Sequence, residues 1–180
     1  MVYHFLPFLT GERPCDSGET VHTMLGLNDH EMENKHNWVQ WCFPNPQPSK
    51  TQKKVAQYPM GRNEATLIAS RFDSATHVCA LLLKVFRFWG IEWTHESTVG
   101  LSRFHVADTE RFRIKLSGVD HNQKRMTRVI TFLFALGWYD VAESLQGLLK
   151  NAQDNLHGFR VSAATLGFWT EQNEHTIWEF

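Results

Sequence analysis

Thirteen phenylalanines and seven tryptophans in a chain of 180 residues constrain the fold before any pattern is read. Rings of that size left in water form adhesive patches, so most of them must be packed inside. With 42% hydrophobic residues, the chain can bury a core without metal or disulfide staples. Its length predicts a single domain over residues 1–180, and disorder over most of it is not expected. A net charge of −1 gives no global field toward nucleic acid or an anionic membrane. Cys15, Cys42 and Cys79 are far apart with no CxxC spacing, which favours free buried thiols in a reducing compartment. The start, MVYHFLPFLTGER, lacks the basic end and long apolar run of a signal peptide. The longest apolar stretch, Val78 to Trp89, is broken by Lys84 and Arg87 and is too short to span a bilayer. The expectation is a soluble intracellular protein, cytoplasmic or nuclear, with no cofactor and no metal.

Helical periodicity dominates and strand alternation is scarce, which predicts an all-α, irregular bundle of about six to seven helices. After an extended lead-in over residues 1–15, Ser17 or Asp16 caps a short helix through Leu25, ended by Gly26. Asn28 or Asp29 caps a helix to about Cys42, which Pro44 ends. Asn45–Gly61, holding three of the six prolines, reads as an exposed mobile loop. Asn63 caps Glu64–Ser70, and Asp73 starts a long helix, Ser74–Trp89, closed by Gly90. That helix is apolar nearly all round and is expected at the centre of the core. Residues 91–105 read as irregular or weakly extended, and Val106–Ser117 as a weak helix. Asp120 caps a strong helix to Leu136 closed by Gly137, and Asp140 caps another to about Gln153. Ser162 caps a final short helix carrying Phe168 and Trp169.

Two of these helices hold the candidate chemistry. In Asp29–Cys42, Met32, His36, Val39 and Phe43 share one face while Trp38 and Trp41 lie nearly opposite. A helix apolar on two sides is largely buried, so His36 and Trp41 are both expected inside, His36 as a hydrogen-bonded core histidine. In Asp120–Leu136, Met126, Val129, Ile130, Leu133 and Leu136 form the core stripe. Beside it run His121, Arg125, Arg128 and Phe132, cations near a helix start that can hold an anion or pair with local acids. No close histidine pair, phosphate loop or nucleophile elbow occurs, so no catalytic residue is assigned.

The segment HEMENKHNWVQWCFP, His30–Pro44, resembles a signature of the opioid growth factor receptor conserved region, L-E-x-x-H-x-Y-I-Q-W-L-F-P. Met32, Glu33, His36, Gln40, Trp41, Phe43 and Pro44 fill it, with Trp38 for tyrosine and Cys42 for leucine. A second family segment, H-N-x-x-R-(I/L/M)-T-R-(I/V)-(I/L)-x-x-L-x-x-L-G, is similar to His121–Gly137 at His121, Asn122, Arg125, Met126, Thr127, Arg128, Val129, Ile130, Leu133, Leu136 and Gly137. FLTGERPCDSGETVHTMLGLND and LKVFRFWGI resemble two further segments in the same order. Together they cover about residues 5–153 and leave 154–180 as a C-terminal extension. The resemblance implies a short single-domain member of a family whose named animal member is a receptor for an enkephalin-type peptide.

Three functions are open at this point. A receptor-like module would bind a peptide or protein partner in an aromatic groove, with His36, Trp38, Gln40, Trp41, His121, Asn122, Arg125 and Arg128 as ligand-binding residues. An enzyme would gather His36, His121, Arg125 and Arg128 around a small anionic ligand. Nucleic-acid binding would use Lys50, Lys53, Lys54 and Arg62, against the near-neutral charge.

Overall fold

A computed structural model describes residues 2–47, 58–96, 101–118 and 121–179. Most of the expected loop Asn45–Gly61, including Lys50, Lys53 and Lys54, lies outside the described residues, as does the expected cap Asp120. Among the described residues the chain is mostly helical, with eleven helices and one two-stranded sheet, so the expected count of six to seven is too low. None of these helices is long and apolar enough to cross a membrane. The chain divides into two compact units, residues 1–84 and 85–180.

The first unit holds α1 (Leu6–Leu9), α2 (Val21–Gly26), α3 (Asp29–Asn34), α4 (Trp38–Cys42), α5 (Arg62–Ser70) and most of α6 (Phe72–Phe88). Helix α1 is a single turn, too short to hold itself together. It is fixed by Glu64 of α5, whose buried Oε1 accepts from the Phe5 amide at 2.7 Å and the Leu6 amide at 3.0 Å. Leu9 ends the turn, and its carbonyl accepts from Nδ1 of His77 at 2.8 Å. The expected cap of α2 is displaced: Thr20 and Thr23 form the capping box, while Cys15–Gly18 is a turn with Gly18 at φ +86°. Asn28 caps α3 as expected, in a reciprocal box with Glu31. Helix α5 begins at Arg62 behind Gly61, one residue before Asn63, and α6 begins at Phe72, ahead of Ser74.

The expected continuous helix Asp29–Cys42 is broken. Lys35 leaves the helical region (φ −78°, ψ 129°), and the chain bends before α4 starts at Trp38. Two side chains bond carbonyls of the last helical turn there. Asn34 Nδ2 donates to the His30 carbonyl at 2.9 Å, and Trp38 Nε1 donates to the Met32 carbonyl at 3.0 Å. In a continuous helix the latter would accept from the amide of His36. His36 consequently sits on the bend and is exposed, not buried as the helical reading required.

The second unit holds the end of α6, β1 (Ile91–Glu96), β2 (Leu101–Val106), α7 (Thr109–Leu116), α8 (His121–Ala135), α9 (Tyr139–Asn155), α10 (Ala163–Thr170) and α11 (Glu174–Trp178). The stretch expected to be irregular or weakly extended holds two paired antiparallel strands, in register from Ile91 opposite Val106 to Glu96 opposite Leu101. Its inner face carries Trp93 stacked on Phe104 (6.0 Å between centroids, 10° between planes), with Phe86 edge-on to both. The weak helix expected from Val106 starts later, at Thr109, because Val106 finishes β2 and Asp108 caps α7 by accepting from the Arg111 amide. Gly90 makes the passage from α6 at φ +76° and has no room for a side chain, since a Cβ would lie 2.5 Å from the Asp108 carbonyl oxygen.

Helix α8 is the packing centre of this unit. Met126, Val129, Ile130 and Leu133 are fully buried and Leu136 nearly so, the stripe read from the sequence. Gly137, at φ +75°, terminates the helix as expected. Asp140 lies in the first turn of α9 behind Trp138 at the N-cap position. Ser162 caps α10, accepting from the Thr165 amide. This helix is not the last, because Asn173 caps α11 beyond it. Polar ties join these helices: Trp169 Nε1 donates to the Gln123 carbonyl, and Gln146 Nε2 donates to the carbonyls of Trp169 and Gln172.

Candidate functional site

The candidate residues fall into two sets, His36, Trp38, Gln40 and Trp41 in the first unit and His121, Asn122, Arg125 and Arg128 in the second. Within the first set, Trp38 and Trp41 are each only 3% exposed. Trp38 packs edge-on against Phe43, and Trp41 lies 5.4 Å from the ring of Phe5 and 5.6 Å from that of Phe8. Their indoles differ in polar satisfaction. Trp38 Nε1 has the Met32 carbonyl, whereas the buried Nε1 of Trp41 has no acceptor among the described residues. Gln40 is buried at 6% exposure, so His36 is the exposed member of this set.

The second set occupies the first half of α8. His121 opens the helix and is exposed. Asn122 beside it and Arg125 one turn on are both buried, and Arg125 Nη1 donates to Asn122 Oδ1 at 3.0 Å. That bond fixes one edge of the planar guanidinium and orients it on the helix. Arg128, a turn further, is half-buried, and burial draws its guanidinium down to about 10, still cationic at neutral pH. Two positive charges thus sit in low-dielectric surroundings on one helix, where a carboxylate or phosphate group would be bound more strongly than in water.

Among the described residues, no group of three or more His, Cys, Asp or Glu side chains is placed to hold a metal ion. The three cysteines are free, Cys15 and Cys42 buried and Cys79 half-buried. Burial pushes the Cys42 thiol well above the usual range, with the neighbouring charges of Cys15 and Glu19 adding to it. Arg62, the remaining described member of the nucleic-acid set, is exposed at the first position of α5.

Sequence reasoning passed over two features. Glu64, at 4% exposure, holds the N-terminal turn, and one carboxylate inside an ordinary short helix gives no sign of that role. The hairpin did carry a signal, the alternation Ile91, Glu92, Trp93, Thr94, which the structure resolves as buried, exposed, half-buried and exposed.

The family model for the opioid growth factor receptor (OGFr) conserved region matches residues 17–169. The match starts later than the resembling segments and runs further, to the end of α9 and through most of α10. No match was found among curated proteins or among solved structures. Spanning most of the chain and both signature segments, the match shows that this protein belongs to the opioid growth factor receptor conserved-region family.

Proposed function

We propose that this domain is a receptor-like module that binds a peptide or protein segment and acts in regulation. The observation that carries the proposal is the setting of Arg125 and Arg128 on α8, two cations in buried surroundings with one of them oriented by Asn122. Removing arginine from water is costly, and such perturbed groups are enriched at functional sites. Their planar donors suit the carboxylate of a peptide, at its C-terminus or on an acidic side chain. His121, exposed at the start of the same helix, is proposed as an outer contact, and Asn122 as the group that orients Arg125.

Calorimetric titration with an enkephalin-type pentapeptide tests the proposal. The free C-terminal acid should bind saturably, and the C-terminal amide at least roughly tenfold more weakly because the charge-assisted bonds are lost. Saturable binding of neither form would overturn the proposal.

A further inference from the structure

The hairpin β1–β2 has one strand lying along α9, which is β2. Strand β1 turns its far edge the other way. The Gly90 carbonyl accepts from the amides of Ala107 (2.9 Å) and Asp108 (3.1 Å), and this sets the parity of the ladder. With Ile91 opposite Val106, the exchanged hydrogen bonds fall at Glu92–His105 and Thr94–Arg103. The amides and carbonyls of Ile91, Trp93 and His95 therefore point outward, and among the described residues none of them meets another backbone.

Natural sheets blunt such edges with proline, charged side chains (lysine above all), a bulge or a very short strand. The charges of β1 are acidic, and they repel an acidic strand but not a basic one. Strand β1, Ile-Glu-Trp-Thr-His-Glu, has no proline or lysine and keeps register over six consecutive pairs without a bulge. One face of the edge is apolar, with Ile91 buried and Trp93 stacked on Phe104. The other face presents the carboxylate of Glu92, 57% exposed and 3.0 Å from His105 Nε2.

We propose that the outer edge of β1 docks an extended polypeptide segment as a third strand, with apolar residues beside Ile91 and Trp93 alternating with basic residues beside Glu92. The unpaired amides and carbonyls require an extended backbone, the ring-bearing face requires apolar side chains, and the exposed carboxylate selects cations. The proposal goes beyond the binding-module reading and shares with it only the idea that the natural partner is a polypeptide.

A blocked peptide of alternating lysine and valine is the probe, with amide hydrogen exchange of the whole chain followed by NMR. The expected result is saturable slowing at the Ile91, Trp93 and His95 amides, with an alternating glutamate–valine peptide binding at least tenfold more weakly. His95→Pro removes one outward donor and no ladder bond, so affinity should fall roughly three- to tenfold. Glu92→Lys should reverse the preference between the two peptides, which keeps the test decisive if His95→Pro does not fold. Binding without protection at those three amides would overturn the edge while leaving the binding-module reading in place. Failure to bind would overturn it too, as would protection that grows with protein concentration alone, which would give the edge to a second copy. The pentapeptide titration is scored separately, because both of its forms lack the lysine–valine alternation.

Discussion

Trp38 donates its indole hydrogen to the Met32 carbonyl at 3.0 Å, closing the bend that separates α3 from α4. The bond satisfies a carbonyl that the broken helix leaves open, and it is buried. Trp38→Phe keeps the ring against Phe43 and removes the donor. Leaving a buried carbonyl unpaired costs about 1–3 kcal/mol, so urea unfolding should show a loss of that order. Unchanged stability would mean that the bend is set by Asn34 and its neighbours alone.

Glu64 presents a second dependence on one side chain. Its carboxylate accepts two backbone amides at the start of α1, Phe5 and Leu6, inside the core. Bonds to a charged acceptor are worth roughly 1.5–3 kcal/mol. Glu64→Ala should lower stability by about that amount or more and expose residues 2–10 to proteolysis before global unfolding. Equal protease resistance in variant and wild type would contradict the latch.

Two glycines separate backbone strain from lack of space. Gly90 and Gly137 have nearly the same φ, +76° and +75°, but a Cβ at Gly90 would meet the Asp108 carbonyl oxygen at 2.5 Å. At Gly137 the nearest atom is the Tyr139 hydroxyl at 4.0 Å. Gly137→Ala should therefore cost about 1–2 kcal/mol, from φ alone, and Gly90→Ala clearly more. Equal losses in thermal unfolding would show that the hairpin start yields without resistance.

Much of this fold could be read from the chain, for a physical reason. In α8 Met126, Val129, Ile130 and Leu133 repeat at helical spacing and are buried, and Gly137 marks the end, so along this stripe local pattern and tertiary burial agree. The α3–α4 bend could not be read, because the apolar pattern runs on through it and the Met32 carbonyl is taken by the Trp38 indole in place of a backbone amide. That single error moved His36 from the core to the surface. The hairpin segment was legible only as weakly extended, and its pairing was not read, because the alternation is short and flanked by helices. Of the candidate site, the helical placement of His121, Asn122, Arg125 and Arg128 was legible from spacing. The Arg125–Asn122 bond was not, since it depends on which rotamers a buried pair adopts.

The pH dependence has a defined sign. Burial raises the Cys42 thiol, with Cys15 and Glu19 adding, and burial alone raises Cys79. Unfolded thiols lose their protons near pH 8.5. Above that, the unfolded chain binds fewer protons than the folded one, so stability falls as pH rises toward the folded values. Below it both states are protonated and the effect vanishes. Urea midpoints should drop between about pH 8 and 10 in the wild type and less steeply in Cys42→Ala. An identical slope in both proteins would contradict the assignment to Cys42.

Arginine-to-lysine exchange on α8 tests recognition most directly, because lysine keeps the charge and loses the planar fork. In Arg125→Lys and Arg128→Lys, affinity for the free-acid pentapeptide should fall at least roughly tenfold, with the free-acid and amide forms approaching one another and the unfolding midpoint within about 5 °C of wild type. Undiminished affinity in both variants, with the free-acid preference intact, would contradict the assignment of peptide recognition to these two residues.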